Sequence, residues 1–339
     1  MSKKEVFSEF NGETIYKLSL TNQNNMSISC LSYGANWYEL LVPTKNGKQN
    51  LLLNFPTIED YVRTNEYLNM SIGRTAGRIG KGEFVLDQQT YHVDHNEGGN
   101  TLHGGPHGFN RLNWESRIQG NQIIFDRRIT PADDSFPGTL DVTITYTLTN
   151  DNQVLIDYKA KSDALTVFNP TSHAYWNLNA DDRNVNNLNL YVRSAEHLEL
   201  DHEKIPTGKT VKNSGTPYDF RHLKPIGQAI EGLQDIPEKG IDDVYILDDH
   251  DDSLPDAILE NPEQKISVEF YTERNAIVLF TSNAFGEDQP FINKTGQPQV
   301  GVALEAQTAP NAIFDSRFGD FTIDKGQPRH YQTKYRVIF

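Results

Sequence analysis

Apolar and polar residues alternate along most of this chain, and a period of two fits strands that turn one face to a core and the other to water. The clearest run is Leu140, Val142, Ile144, Tyr146 and Leu148, separated by aspartate and threonine. A polar turn, Asn150-Asp-Asn152, leads into Val154, Ile156, Tyr158 and Ala160, which predicts a β-hairpin. Met26, Ile28 and Cys30 repeat the pattern, as do Ile266, Val268 and Phe270. At the C-terminus Tyr331, Thr333, Tyr335, Val337 and Phe339 are expected on one face. The apolar runs Leu51 to Leu53 and Ala276 to Phe280 suit strands buried on both faces. Helical spacing appears only around Ile58 to Arg63 and Gln228 to Leu233. About fifteen or more short strands with turn signals between them predict an all-β sandwich or barrel, and the lack of a fixed repeat disfavours a propeller. No linker interrupts residues 1–339, so one domain is expected; the loop-rich stretches Gly98 to Leu112 and Ile205 to Gly240 are too mixed to divide it.

Composition narrows the function. The net charge of −15 argues against nucleic acid or an anionic membrane as partner, because phosphate would be repelled, while neutral ligands are not penalised. No apolar run approaches the roughly 18 residues of a membrane span, and the N-terminal lysines lack the apolar segment of a secretory leader. The single cysteine, Cys30, forbids an internal disulfide and a cysteine-rich metal site. Together these point to the cytoplasm. The acidic run Asp248 to Asp252 lacks the glycine and distal glutamate of a calcium loop and reads as a solvated turn.

Five stretches carry possible chemistry. Asn169-Pro-Thr-Ser-His-Ala-Tyr-Trp-Asn-Leu178 follows a strand-like run and sets His173 beside aromatic rings and amides, groups that suit a sugar's flat faces and hydroxyls. Ile72-Gly-Arg-Thr-Ala-Gly-Arg-Ile-Gly-Lys-Gly82 is neither a phosphate loop nor a dinucleotide fingerprint, but Arg74 or Arg78 could offer its fork of donors to ligand oxygens, the other being structural. In Asn100-Thr-Leu-His-Gly-Gly-Pro-His-Gly108 the glycines and proline preclude the helix on which His103 and His107 would share a zinc ion; His103 is better explained as a side chain presented where ligand approaches backbone. His92 and His95 read as surface residues. Gly240-Ile-Asp-Asp-Val-Tyr245 sets Asp242 at the mouth of a strand. In Gly301-Val-Ala-Leu-Glu-Ala-Gln307, Glu305 interrupts an apolar strand, so it is either paired or functional, and desolvation would raise its pKa toward that of a general base.

Taken together, and in this order, the stretches Gly73 to Ile79, Asn100 to Gly105, Asn169 to Leu178, Gly240 to Asp242 and Leu304 to Gln307 resemble the aldose 1-epimerase family over nearly the whole chain. The resemblance implies a large, mainly antiparallel β-sandwich with an open sugar-binding cleft. It implies that Glu305 is the general base and His173 the general acid, and that Arg78, His103 and Asp242 bind hydroxyls. The reaction would interconvert the α and β anomers of a free aldose, a small-molecule substrate, without metal or organic cofactor. A carboxylate such as Asp242 would help His173 hold its proton. Three positions depart from the family's pattern: Gly77 stands where many members have asparagine, Val278 where many have a substrate-binding glutamine, and Pro310-Asn311 replaces the usual Pro-Asp. The first two bear on which sugar fits, galactose, glucose, a pentose or maltose. A retaining glycosidase built on Asp242 and Glu305, and a non-catalytic sugar-binding sandwich, are the rival readings; the sequence leaves monomer and homodimer both open.

Overall fold

The computed structural model describes Met1 to Phe339 except Asn46, His250 and Asp252. Strand accounts for 46% of the chain and helix for 10%, as the alternation predicts. The long hairpin forms where expected: Leu140–Leu148 and Gln153–Ser162 pair antiparallel with Tyr146 opposite Ile156 and Ile144 opposite Tyr158. It lies within an all-antiparallel nine-stranded sheet. The C-terminal strand Pro328–Ile338 sits in the interior of that sheet, between Gln153–Ser162 and Ile266–Thr272. A five-stranded meander covers the N-terminal residues from Ser2 to Asn50.

A six-stranded antiparallel sheet carries two of the candidate residues, Asp242 and Glu305. Its strands are β1 (Tyr175–Trp176), β2 (Glu196–Leu200), β3 (Pro206–Lys212), β4 (Asp242–Ile246), β5 (Ala276–Phe280) and β6 (Val302–Gln307), in the spatial order β1-β6-β5-β4-β2-β3. The main core is aromatic at its centre: Trp37 meets Trp176 edge-on at 5.4 Å and Tyr335 at 5.1 Å. Such pairings add to the area buried by each ring.

The two helical segments also form, as Ile58–Thr64 and Ile226–Glu231; Thr57 caps the first by accepting the Asp60 N–H. No helix among the described residues is long and apolar enough to cross a membrane. Three strand expectations need correction. Leu51 to Leu53 are buried but form only an isolated bridge, Leu52 to Trp176, held by the Leu53 N–H to Tyr175 O and the Asn177 N–H to Leu51 O. In β5, Val278 and Phe280 are only half-buried, since that face lines a pocket rather than a second core. Phe339 lies past the end of its strand and is exposed. Of the acidic run, Asp248, Asp249 and Asp251 are exposed, whereas His250 and Asp252 lie outside the described residues.

Candidate active site

One small cavity, ≈ 260 Å³, brings Arg78, His103, His173, Asp242 and Glu305 together. Its floor is one face of β4, β5 and β6. On β6 the side chains of Ala303, Glu305 and Gln307 share that face, because alternate residues of a strand do. Val278 stands opposite Glu305, and Phe280 stands between Ala303 on one side and Asp242 on the other.

The walls are loops. Pro170 precedes the short bridge strand Thr171–Ser172, and His173 is then pinned by its backbone: its N–H donates to Met70 O at 2.9 Å and its carbonyl accepts from the Asn69 N–H at 2.9 Å. Tyr67 and Tyr175 both stack on the imidazole, with centroids 6.0 and 5.0 Å away. The glycine-rich loop brings His103 in because nothing bulkier would let it pass; a Cβ at Gly104 would stand 1.9 Å from the Gly73 carbonyl oxygen. The Gly77 N–H donates to His103 Nδ1, so neutral His103 carries its proton on Nε2.

The two candidate arginines separate cleanly. Arg74 is wholly buried and forks onto Asp134, with Nε 2.6 Å from Oδ2 and Nη2 3.0 Å from Oδ1. Its remaining donors reach Pro137, Gly138 and Thr166, so Arg74 is structural. Arg78 lines the pocket and forks onto Glu97 through Nε and Nη2, while its Nη1 makes no hydrogen bond among the described residues. His107, His92 and His95 are exposed and outside the pocket.

The sugar-suited decapeptide is mostly scaffold. Trp176 is sealed in the core. Asn169 bonds Thr308 and Arg274, and Asn177 donates to Val300 O. Only His173 and Tyr175 face the cavity.

His173 Nε2 lies 3.4 Å from Glu305 Oε1, and the other polar atom of each, Nδ1 and Oε2, is buried without a partner. Burial governs both. It pushes Glu305 up to about 8, aided by the Asp242 carboxylate and opposed by Arg78. It brings His173 down to about 4. His103 is held well below the ordinary histidine value by burial, with help from His173 and Arg78. Burial also raises Asp242, against the pull of Lys204 and Arg78. The expected support of His173 by Asp242 is therefore not what this site does: the Asp242 charge acts on Glu305 instead. Although 3.4 Å suits an ion pair, in a medium this dry one proton shared by two otherwise neutral groups is favoured over two opposite charges.

Several pocket residues escaped the sequence reading. Lys204 reaches Glu238 at 2.7 Å and Asp242 at 4.0 Å. Glu66 is half-buried at the pocket edge, where burial lifts it to about 7. Gln307 has neither amide atom bonded; its spacing of two from Glu305 on an alternating strand was the available signal. Donor atoms of His103, His173 and Glu305 lie within 4.8 Å of one another, a set that could also hold a small cation.

The fold is thus an antiparallel sandwich whose cavity holds a buried carboxyl–imidazole pair. Residues 16–336 match the aldose 1-epimerase family. Among similar proteins, an aldose 1-epimerase of Streptococcus thermophilus is 35% identical over 347 residues, covering 98% of this chain and 97% of that one. A maltose epimerase of Levilactobacillus brevis is 34% identical over 337 residues, covering 98% of both. The crystal structure of galactose 1-epimerase from Lactobacillus acidophilus superposes with a TM-score of 0.86 at 25% identity, covering 100% of this chain and 98% of that one. The chain belongs to the aldose 1-epimerase family, and is an isomerase of the mutarotase kind.

Proposed function

We propose that residues 1–339 act as one unit that interconverts the α and β anomers of a free aldose, with Glu305 and His173 as the proton-transferring pair and Arg78, His103 and Asp242 as hydroxyl contacts. The observation that carries this reading is the 3.4 Å contact between His173 and Glu305, with an unpartnered polar atom on each, at the floor of the cavity.

Near neutral pH the pair holds a single proton. A sugar that sets its C1 hydroxyl against Glu305 and its ring oxygen against His173 supplies the hydrogen bonds that the charged form needs, so the proton passes to His173. Glu305 then takes the C1 hydroxyl proton while His173 gives its own to the ring oxygen, and the C1–O5 bond breaks. Rotation about C1–C2 presents the other face of the aldehyde. Reclosure reverses both transfers and restores the pair. General acid and base each contribute ~10²–10⁴-fold in such reactions. The protein's own groups suffice for this proton balance, so no cofactor enters.

Similarity to a maltose epimerase and to galactose-directed relatives brings both reducing disaccharides and hexoses within the substrate class. The core running from Leu18 to Val337 supports one unit. The lone buried Cys30 suits a reducing compartment, the cytoplasm, with the chain acting as monomer or homodimer. Polarimetry on freshly dissolved α-galactose, α-glucose and maltose tests the proposal: accelerated decay of optical rotation is expected. Sugar binding without acceleration, or release of nitrophenol from a nitrophenyl glycoside, would overturn it.

A further inference from the structure

The proton-transfer reading leaves Gln307 unexplained. Its side chain lines the same cavity, two residues beyond Glu305 on β6, and it is wholly buried. Neither Oε1 nor Nε2 has a hydrogen-bond partner. Buried amides almost always find partners, and a donor and an acceptor left unmet on one side chain call for a ligand that meets both. The neighbours cannot. Ala276, opposite in the ladder, and Pro310 have no side-chain polar atoms, and Gly77 has no side chain at all. A Cβ at Gly77 would stand 3.6 Å from Gln307 Oε1, so the glycine leaves room next to the amide.

Register fixes where this amide stands. Asp242 is opposite Phe280, which is opposite Ala303, whereas Gln307 is opposite Ala276. Asp242 and Gln307 are therefore displaced in opposite directions from Glu305 along the strands, each by two residues or about 7 Å, and Asp242 stands a further two strands across.

We propose that Gln307 reads the substrate, its carboxamide taking one sugar hydroxyl as both donor and acceptor at the end of the pocket remote from Asp242. This rests on the proton-transfer reading of the pocket. The two ends then ask different things of the sugar. An ionised carboxylate only accepts, so Asp242 suits any hydroxyl that donates. The amide both gives and takes, so Gln307 selects a free hydroxyl and rejects a C–H there, because its own two groups return to the unmet state. A glycosidic oxygen in that position could satisfy only the amide N–H.

The test uses wild-type enzyme, Gln307→Met, which keeps length and removes the amide, and Gln307→Asn, which keeps the amide one methylene back. Glucose, galactose and the 2-, 3-, 4- and 6-deoxyglucoses are compared by polarimetry for turnover and by calorimetry for binding. In the wild type one deoxy sugar should be about tenfold or more weaker than its parent, in the range expected for an unmet buried polar group. Gln307→Met should weaken the parent by a similar factor and that deoxy sugar by less than about twofold, with kcat changed less than about threefold, as a coupled pair requires. Should Gln307→Met fail to fold, Gln307→Asn must show a smaller loss confined to the same hydroxyl. Equal effects on parent and every deoxy sugar overturn the proposal, and so does a wild-type scan in which no deoxy sugar loses affinity. A chain that binds sugars without mutarotating them sinks the acid–base reading alone, since the calorimetric comparison still decides Gln307.

Discussion

Gly77 and His103 hold each other from both ends: the Gly77 N–H donates to His103 Nδ1 at 3.2 Å, and the His103 N–H donates to the Gly77 carbonyl at 3.0 Å. The pair fixes the tautomer of one histidine and ties the arginine-bearing loop to the glycine-rich loop across the pocket. Gly77 has φ +68°, and a Cβ there would meet Pro310 at 2.7 Å.

Gly77→Ala should therefore move the Pro310 loop or the Arg78 backbone. The expected result is a rise in KM of about tenfold with a smaller change in kcat, because orientation of the sugar suffers before proton transfer does. Steady-state polarimetry measures it; an unchanged KM would mean that the loops do not share a binding role.

Glu305→Gln keeps shape but cannot take a proton, and His173→Asn keeps polarity but cannot deliver one. Each should lower kcat by ~10²–10⁴-fold and change sugar affinity far less. The double variant should be scarcely slower than either single one, since both groups serve one proton transfer. Stopped-flow polarimetry on the three variants checks this. Near-native kcat in Glu305→Gln would remove it from the chemistry.

The pH dependence follows from the shared proton. Below about 4 the pair takes up a second proton as His173 charges, and above about 8 Glu305 gives up the only one, so kcat/KM should be bell-shaped between those limits. The limbs belong to the pair, whichever partner carries the proton at rest. Asp242 raises Glu305, so Asp242→Asn should shift the alkaline limb to lower pH and raise KM. A limb that stays in place would show that the Asp242 charge does not reach Glu305.

Arg74 and Asp134 make a different prediction. Asp134→Ala strands a guanidinium at zero exposure, and breaking such a pair from one side costs about 3–5 kcal/mol. Urea unfolding should show that loss, with kcat of the folded fraction little changed. A loss under about 1 kcal/mol, the size seen for surface pairs, would count against the buried pairing.

Metal dependence is a clean discriminator, because His103, His173 and Glu305 could also grip an ion. Activity should survive exhaustive dialysis against EDTA. Loss on chelation with recovery on adding zinc would replace the acid–base pair by a metal centre.

Strands were legible in the sequence because alternation is a local property: Leu140 to Ala160 could be paired from spacing alone, and the pairing is Leu140 opposite Ser162 through Leu148 opposite Val154. The five motif residues were legible because each interrupts its surroundings, a carboxylate in an apolar strand or a histidine among glycines. What sequence could not give was proximity. The Asp134 that claims Arg74 is sixty positions away, and Glu97 fixes Arg78 only through a loop closure. Nor could it tell which way the proton leans. Asp242 reads as a neighbour of His173 until the ladder places it across β5 from β6. Trp176 showed the opposite failing, since an aromatic next to a candidate catalytic histidine reads as a sugar platform when only the fold reveals its burial.

The position of Pro328–Ile338 has a consequence for synthesis. Those 11 residues are the seam between the strands from Glu115 to Ser162 and those from Asn189 to Thr272, yet they are synthesised after both groups. Until then the two groups of strands face each other across a missing member, with open edges that invite pairing with other chains. Joining of the two groups thus waits for synthesis of Pro328–Ile338. Deletion of that strand should yield aggregates rather than a slightly weakened enzyme.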